Sequence, residues 1–304
     1  MIITLAGGNS FALRQRLDEL TTKFVAEQGE LALERLDGSE ADYQAIIDAA
    51  QSLPFLAARK MVVVRELSAN KDAAERIEQI ISSTEDTTDL IIYEPVLDRR
   101  TLYFKVLKSQ TQLEEYAELD ARQLAGWLVN EAKTHGSQLG LADANFLVER
   151  IGANQQMLSM ELEKLLAYEP QITRQNIELL VEPTPQSKIF DLLDAAFAGN
   201  KKRALKLYDE QRAQKVEPKT ILAMLGWQLN ILALAKSGRG RLAGEIAKDA
   251  GLNPYPVTKA MHLASKMDES KLKSLVDEAY KMDWQGKTSA IDLDEALKTY
   301  ILTL

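Results

Sequence analysis

Hydrophobic residues follow two different periods along this chain, and the change falls near residue 118. Before it, short runs of consecutive apolar residues alternate with stretches in which apolar residues recur every three or four positions. Consecutive runs predict strands covered on both faces, and the longer period predicts helices. The predicted strands are residues 2–6, 31–36, 60–66, 89–94 and 112–117. Helices between them, the first capped by Ser10 and the others at 39–50, 72–82 and 100–107, predict a mainly parallel sheet with helices on both faces.

From Asp120 onward only the helical period is present. The first predicted helix carries the stripe Leu124, Trp127, Leu128 and Ala132, and others follow at 143–151, 155–168, 174–181, 188–198, 201–214, 218–236, 242–250, 255–265, 270–283 and 290–304. Pro183-Thr184-Pro185 is a stiff break that predicts a domain boundary. The predicted fold class is therefore α/β plus all-α, with domains at 1–118, 119–183 and 184–304.

Composition removes several classes of function. The chain has 304 residues and no cysteine, which excludes disulfides, thiolate zinc sites and a cysteine nucleophile. Its histidines, His135 and His262, are too few and too far apart for a histidine metal site or a Ser-His-Asp triad. With a net charge of −8, a DNA contact would need a local basic patch. No apolar run approaches the length of a membrane span and no signal peptide is recognisable, so a soluble cytoplasmic protein is predicted.

The turn Gly7-Gly8-Asn9, between a predicted strand and a predicted helix, has the position of a phosphate-binding loop. Such a loop needs a lysine for the outer phosphates and a Ser or Thr for magnesium in the spacing G-x-x-x-x-G-K-[ST]. Both are missing here, and so is the dinucleotide pattern G-x-G-x-x-G. The strand ends Arg65-Glu66 and Tyr93-Glu94 offer no acidic pair for magnesium, and we predict that they face solvent. ATP hydrolysis, a cofactor and a metal ion are therefore not expected.

An apolar loop, Leu53-Pro54-Phe55-Leu56, precedes the strongly β-prone strand 60–66. Pro54 stops the preceding helix and biases Leu53 toward an extended conformation, which places Phe55 and Leu56 on a tight connection. Two interpretations are open at this point. The loop folds back and buries both side chains in its own domain, or they stand out as an anchor for a partner's pocket.

The helices 242–250 and 255–265 have the arrangement of a DNA-reading helix pair. The second offers only Lys259, His262 and Lys266 as polar readers, so we predict structural packing instead. A DNA-binding adaptor would be favoured by a basic face, for which the candidates are Lys201, Lys202, Arg203, Lys206, Arg239 and Arg241. Solvated helix charge is the commoner explanation of such residues.

Several segments, taken in order, resemble the delta-subunit family of bacterial DNA polymerase III clamp loaders, which are AAA+ proteins. The first ones are SLPFLAARKMVVV, DLIIYEPVLDRRTLYFKVLK and MELEKLLAY. The most specific is IFDLLDAAFAGNKKRALKLYDE followed by EPKTILAMLGWQLNILALAK, where the family's spacing is met by Phe190, Asp191, Gly199, Asn200, Ala204, Pro218, Leu222 and Gln228. The order of the matches and their coverage from end to end carry the resemblance.

The resemblance implies a degenerate AAA+ domain at 1–118, a helical lid domain at 119–183 and a helical collar domain at 184–304 that holds a ring of subunits. It implies no ATP hydrolysis by this chain, which would nevertheless be part of a nucleotidyltransferase holoenzyme. The implied partners are the beta sliding clamp, the ATPase (gamma/tau) and delta-prime subunits, and primed DNA within the complex, with no membrane.

Members of the family bind and open the clamp with two adjacent apolar residues at the end of a first-domain helix. Counting back from Arg59 assigns this role to Phe55 and Leu56, with Leu53 as a helper; since Pro54 precedes the pair, Leu53 and Phe55 are an alternative pair. Two other functions stay open. An AAA+ ATPase or another clamp-loader subunit would usually show a full phosphate loop or a cysteine-rich zinc module, and a helical DNA-binding adaptor would show a basic face.

Overall fold

The computed structural model describes residues 1–238 and 240–304, without the side chain of residue 186. Contacts between residues divide the chain into two compact units, Met1–Glu118 and Leu119–Leu304. The first unit is described completely and consists of alternating strands and helices. In the second unit, the described residues form helices and one short pair of strands.

A parallel sheet of five strands lies at the centre of residues 1–118, all of which are described. The strands are β1 (Ile2–Ala6), β2 (Leu33–Asp37), β3 (Lys60–Arg65), β4 (Thr88–Glu94) and β5 (Gln112–Glu115). Their order across the sheet is β2-β3-β4-β1-β5, so the strand order reverses beside β1. In open parallel sheets, ligands bind outside the carboxyl ends of the strands at such a point.

Alternate residues of each strand pack against different helices, because successive side chains point to opposite faces of a sheet. The α-helices of this unit are α1 (Ser10–Gln28), α2 (Tyr43–Gln51), α3 (Lys71–Glu75), α4 (Ile77–Ser83) and α5 (Leu102–Gln110). Met61 and Val63 pack in the cluster that includes Leu13 of α1, whereas Val62 and Val64 pack in the cluster formed with α2 to α5. Each buried valine stabilises the fold by about 1.5 kcal/mol or more.

Short polar side chains decide where the helices of this unit begin. Asn9, not the predicted Ser10, caps α1, because its Oδ1 accepts a hydrogen bond from the N–H of Ala12 at 3.0 Å. Helix α2 begins later than predicted, since Asp42 caps it through the N–H of Ala45 at 2.7 Å. The predicted helix 72–82 is two helices, broken at Arg76, where the backbone φ is −107°.

The second unit contains helices α6 (Ala121–Thr134), α7 (Leu141–Ile151), α8 (Gln155–Tyr168), α9 (Arg174–Leu180), α10 (Pro185–Phe197), α11 (Lys201–Ala213), α12 (Pro218–Ser237), α13 (Ala243–Ala250), α14 (Pro254–Lys266), α15 (Glu269–Thr288) and α16 (Leu293–Thr303). The expectation that strands stop at Asp120 was wrong in one place. Strands β6 (Gln138–Leu139) and β7 (Gln171–Ile172) form a parallel pair. Two residues are too few to show a strand period in the sequence.

Helix α12 corrects one sequence prediction, that no apolar stretch approaches the length of a membrane span. Its 20 residues are long and apolar enough for one by length and composition, and among the described helices it alone meets that test. Within the structure its buried residues Ile221, Leu225, Leu229 and Leu232 form part of the core of the helical unit. A core helix covered on several sides is apolar around most of its circumference, which explains the composition.

Thr184 and Pro185, which the sequence marked as a break, begin α10. Thr184 caps the helix by accepting from the N–H of Ser187 at 3.1 Å, and Pro185 occupies its first position. The division of the second unit into a lid domain and a collar domain near residue 183 stays a prediction.

Candidate functional site

Residues 52–59 connect the end of α2 to the start of β3, so they lie at the amino edge of the parallel sheet. The side chains of Leu53, Phe55 and Leu56 are 73%, 74% and 84% exposed. The interpretation in which Phe55 and Leu56 are buried in their own domain was therefore wrong. Ala57, by contrast, packs against the cluster around α1. We call residues 53–56 the apolar tip.

The backbone of the apolar tip is left-handed at Leu56, whose φ is 55°. A residue that has a β-carbon adopts this left-handed backbone conformation at a cost of about 1 kcal/mol or more. The surrounding structure must therefore hold the residue there. Between residues 53 and 58, which are all described, backbone groups form no hydrogen bonds with other backbone groups. Side chains supply the restraint instead.

Hydrogen bonds, most of them from side chains, fix both ends of the loop. At its start, Ser52 donates its N–H to the carbonyl of Asp48 at 2.9 Å, and Lys60 donates its ammonium to Ser52 Oγ at 2.5 Å and to the carbonyl of Ala49 at 3.1 Å. At its end, Oε1 of Gln28 accepts the N–H groups of both Ala58 and Arg59, each at 3.2 Å. The apolar tip thus projects from a base that is closed on both sides.

An ion pair between Arg59 and Asp89 completes the base of the loop. The guanidinium of Arg59 donates to both carboxylate oxygens of Asp89, at 2.7 and 3.2 Å. Burial raises the pKa of Asp89, but hydrogen bonds from Arg59 and from the amino group of Met1 outweigh it and hold the pKa below its ordinary value. A bidentate pair of this kind fixes direction as well as distance.

The turn Gly7-Gly8-Asn9 lies at the opposite, carboxyl edge of the sheet. Two of its N–H groups donate hydrogen bonds to carbonyl groups of the same chain. The N–H of Gly7 donates to the carbonyl of Glu94 at 3.2 Å, and that of Asn9 to the carbonyl of Tyr116 at 3.1 Å. The N–H groups of Ala12 and Leu13, in the first turn of α1, donate to Asn9 at 3.0 Å. A phosphate is held by unpaired N–H groups at such a helix start, and these four already have protein acceptors.

Gly7 also allows a close approach of two backbones. Its φ is 125°, and a β-carbon built there would lie 2.2 Å from the carbonyl oxygen of Tyr116. Residue 116 follows β5, so the chain after β5 lies directly over the turn after β1. The crevice beside β1 is therefore occupied by backbone.

Glu94, at the end of β4, was predicted to face solvent, and this was wrong. It is fully buried and accepts hydrogen bonds from the N–H of Ser68 at 2.8 Å, from the hydroxyl of Ser68 at 2.6 Å and from the hydroxyl of Tyr103 at 2.7 Å. Burial raises the pKa of Glu94 and, more strongly, that of Tyr103. Glu66, the other candidate, is exposed. The two acids form no metal site, and no group of three or more potential ligands occurs in the described part of the chain.

In the helical unit, Lys259 and Arg241, two of the polar residues that could read DNA, contact other side chains of the protein. The ammonium of Lys259 lies 4.6 Å from the ring centre of Phe190 and 3.9 Å from Asp191. Arg241 pairs with Asp249 and Glu245. Arg239 lies outside the described residues. The prediction that α13 and α14 pack structurally agrees with these contacts.

Two features therefore define the class of this protein: a mononucleotide-type α/β unit whose ligand edge is closed by its own hydrogen bonds, and a long helical unit after it. Residues 4–117 match the family model "DNA polymerase III, delta subunit", and residues 186–304 match "DNA polymerase III delta subunit, C-terminal domain". The chain belongs to the DNA polymerase III delta subunit family.

Two relatives are similar along almost their whole lengths. The DNA polymerase III subunit delta of Bacillus subtilis (strain 168) is 24% identical over 322 aligned positions, which cover 100% of this chain and 92% of that protein. The solved Bacillus subtilis DNA clamp loader delta protein has a TM-score of 0.85 at 24% identity and covers 99% of this chain and 94% of its own. The family and the fold class predicted from the sequence are confirmed.

The residues that restrain the apolar tip were missed in the sequence. Gln28 and Asp89 lie about 30 positions before and after the loop, and neither forms part of a local motif. Arg59 lies next to the loop in the sequence, but nothing there indicates its pairing with Asp89.

Proposed function

We propose that this chain is a clamp-loader delta subunit that binds a sliding clamp through its apolar tip and biases the clamp toward an open form. Phe55 and Leu56 are the proposed anchor, with Leu53 beside them. The observation that supports the proposal is the exposure of these three side chains on a loop whose base is fixed. Exposed apolar side chains on an ordered loop are suited to a partner's pocket.

The proposed contact supplies binding energy for this role. Burying a phenylalanine removes about 150 to 250 Å² from water, worth about 4 to 6 kcal/mol before the cost of association is subtracted. The contact opens a ring only if the pocket binds the anchor more tightly in the open form than in the closed form. The chain then acts by coupling its binding to the opening of the clamp, and other subunits hydrolyse ATP.

The proposed partners follow from that role. They are the beta sliding clamp, ATPase (gamma/tau) and delta-prime subunits joined through the collar helices, and primed DNA held by the assembly in the cytoplasm. ATP binding by the neighbouring subunits would control access to the apolar tip. The closed edge at Gly7 and Asn9 supports the assignment of hydrolysis to those neighbours.

The test is a binding titration of the purified chain with the clamp encoded in the same genome. Replacing Phe55 and Leu56 together by alanine should weaken binding by about 100-fold or more, as expected for two central anchor residues. Val96 and Leu102 give a matched control, because they are 82% and 73% exposed but lie beyond the end of β4. The double alanine variant of this control pair should bind like the unchanged chain.

Single variants separate the two assignments of the anchor pair. If Leu56→Ala binds normally while Leu53→Ala does not, the pair is Leu53 and Phe55. Unchanged affinity in the folded Phe55→Ala, Leu56→Ala variant would contradict the proposed site. An ATP titration of the same preparation separates this function from that of an ATPase, for which micromolar affinity would be expected.

A further inference from the structure

We propose that Gln28 is a positioning residue for clamp binding, which it serves by holding the apolar tip in its binding conformation. This inference rests on the proposed function. Gln28 is the last residue of α1, and Gly29 after it, at φ 89°, turns the chain away. The Gln28 side chain is half-buried and lies against the start of β3, where the loop returns to the sheet.

The side chain of Gln28 supplies hydrogen bonds to a segment whose backbone groups form none with other backbone groups. The amide oxygen Oε1 accepts two consecutive N–H groups, those of Ala58 and Arg59, each at 3.2 Å. A carbonyl oxygen has two lone pairs and can accept both. Two consecutive N–H groups that converge on one acceptor fix the direction of the chain at the end of the loop, three residues after Phe55.

The other contacts at the base cannot replace this one. Lys60 ties Ser52 and Ala49, at the beginning of the loop. Arg59 binds Asp89 through its side chain, which leaves its backbone free to rotate. Among the described residues, Gln28 alone accepts hydrogen bonds from the main chain of Ala58 and Arg59, and the next backbone bond on the returning side comes at Lys60, which donates to the carbonyl of Thr87 at 3.0 Å. Without that restraint, the left-handed conformation of Leu56 competes with extended ones, and the apolar tip must be ordered again when it binds.

Three substitutions test the role. Gln28→Leu keeps the size of the side chain and removes the acceptor, so clamp affinity should fall by about 5- to 10-fold, the cost of ordering a loop restrained by two hydrogen bonds. Gln28→Glu keeps an acceptor for both N–H groups and should restore binding to within about 2-fold, since charged acceptors bind more strongly. Gln15→Leu is the control, because Gln15 is an exposed glutamine of the same helix.

Amide hydrogen exchange supplies a readout that a general loss of stability would not produce. The amides of Ala58 and Arg59 should lose protection in Gln28→Leu and keep it in Gln28→Glu, while amides of β3 and the melting temperature stay unchanged. In a chain that already carries Phe55→Ala and Leu56→Ala, Gln28→Leu should weaken clamp binding no further, because the residues that it positions are absent.

The two proposals fail in different ways. Normal clamp affinity in Gln28→Leu, together with weak binding by the Phe55→Ala, Leu56→Ala variant, overturns the role of Gln28 and leaves the anchor intact. Normal affinity in the double alanine variant overturns the anchor and, with it, the role of Gln28. Equal weakening by Gln28→Leu and Gln28→Glu would also overturn the inference, because the acceptor would then be irrelevant.

Discussion

The two edges of the parallel sheet have opposite relations to their surroundings. At the carboxyl edge, polar groups are satisfied within the protein: Gly7 and Asn9 donate to backbone carbonyls, and Glu94 accepts three hydrogen bonds. At the amino edge, polar groups at the base of a loop are also satisfied, but they support the exposed side chains of Phe55 and Leu56. At the usual ligand edge of the fold the N–H groups of Gly7 and Asn9 are thus occupied, and the other edge presents apolar surface.

This difference matches the different requirements of two kinds of ligand. A phosphate needs unpaired donors, and a protein partner needs exposed apolar area on an ordered segment. The carboxyl edge has a turn followed by a helix, and the chain after β5 fills the crevice there. The amino edge presents its apolar surface on the short connection between α2 and β3. The predictions below challenge this comparison, beginning with the largest effect.

The closed crevice depends most strongly on Gly7. Gly7→Ala should destabilise the first unit by about 3 kcal/mol or more, because the new β-carbon would collide with the carbonyl oxygen of Tyr116 in a left-handed backbone conformation. Gly8→Ala is the matched control, since its β-carbon would lie 3.4 Å from a flexible side-chain atom of Glu118. Denaturant unfolding of both variants measures the difference. Equal stabilities would mean that the chain after β5 does not press on this turn.

The buried carboxylate at the same edge should give the next largest effect. Glu94→Leu leaves the N–H and hydroxyl of Ser68 and the hydroxyl of Tyr103 without an acceptor, at a cost of about 2 to 3 kcal/mol. Chemical denaturation gives the value directly. Glu66→Leu, at an exposed neighbouring position, should change stability by less than about 0.5 kcal/mol. A Glu94→Leu variant as stable as the unchanged chain would remove Glu94 from the structural network.

The two edges should respond to pH in opposite directions. The pKa of Glu94 is raised above 4.5 by burial, so the folded state binds a proton more readily than the unfolded state. Its contribution to stability therefore falls as pH rises from about 4.5 through the folded-state pKa. The pKa of Asp89 is lowered below 3.8. Its contribution is complete above that value and is lost as pH falls through the folded-state pKa.

The free energy of unfolding should be measured between about pH 2 and pH 8 for the unchanged chain, for Glu94→Gln and for Asp89→Asn. The comparison isolates the contribution of each carboxyl group to the pH dependence of stability. The difference in unfolding free energy between the unchanged chain and Glu94→Gln should change at pH values above the ordinary carboxyl range. The difference between the unchanged chain and Asp89→Asn should change at pH values below that range. If both differences changed over the same pH range, the two edges would not respond to pH in opposite directions.

The smallest effect on stability is expected at the apolar tip. Phe55→Ala should change the free energy of unfolding by less than about 0.5 kcal/mol, because an exposed side chain loses little packing. Thermal melting checks this, with Phe24→Ala of α1 as the control, since Phe24 is buried and its loss should cost about 3 kcal/mol or more. A large loss in Phe55→Ala would mean that the tip packs on its own domain after all.

Much of the architecture could be read from the chain. The apolar runs at Ile2–Ala6 and Lys60–Arg65 located strands correctly, and the helical period located α8 at both ends, because buried strands and amphipathic helices each impose a local period. Helix starts were less accurate at α1 and α2. There the cap was decided by which polar side chain reached the first N–H groups, and several residues of suitable type stand close together.

At the candidate site, the sequence indicated the apolar loop but not whether its side chains are buried or exposed. Pro54 and the apolar residues around it predicted a stiff connection, whereas its exposure depended on which surfaces the rest of the domain left uncovered. Glu94 was misjudged for the same reason. Its burial follows from Ser68 and Tyr103, which come from different connections.

By itself, the sequence determined the alternation of strands and helices, the missing phosphate-binding lysine, the apolar loop and the family. These properties are local or are summed over the whole chain. Only the tertiary structure decided that the crevice beside β1 is filled by backbone, that Phe55 and Leu56 are exposed, and that Gln28 holds the loop. Hydrogen bonds and burial form between residues that are distant in the chain, and no local pattern encodes which of them will meet.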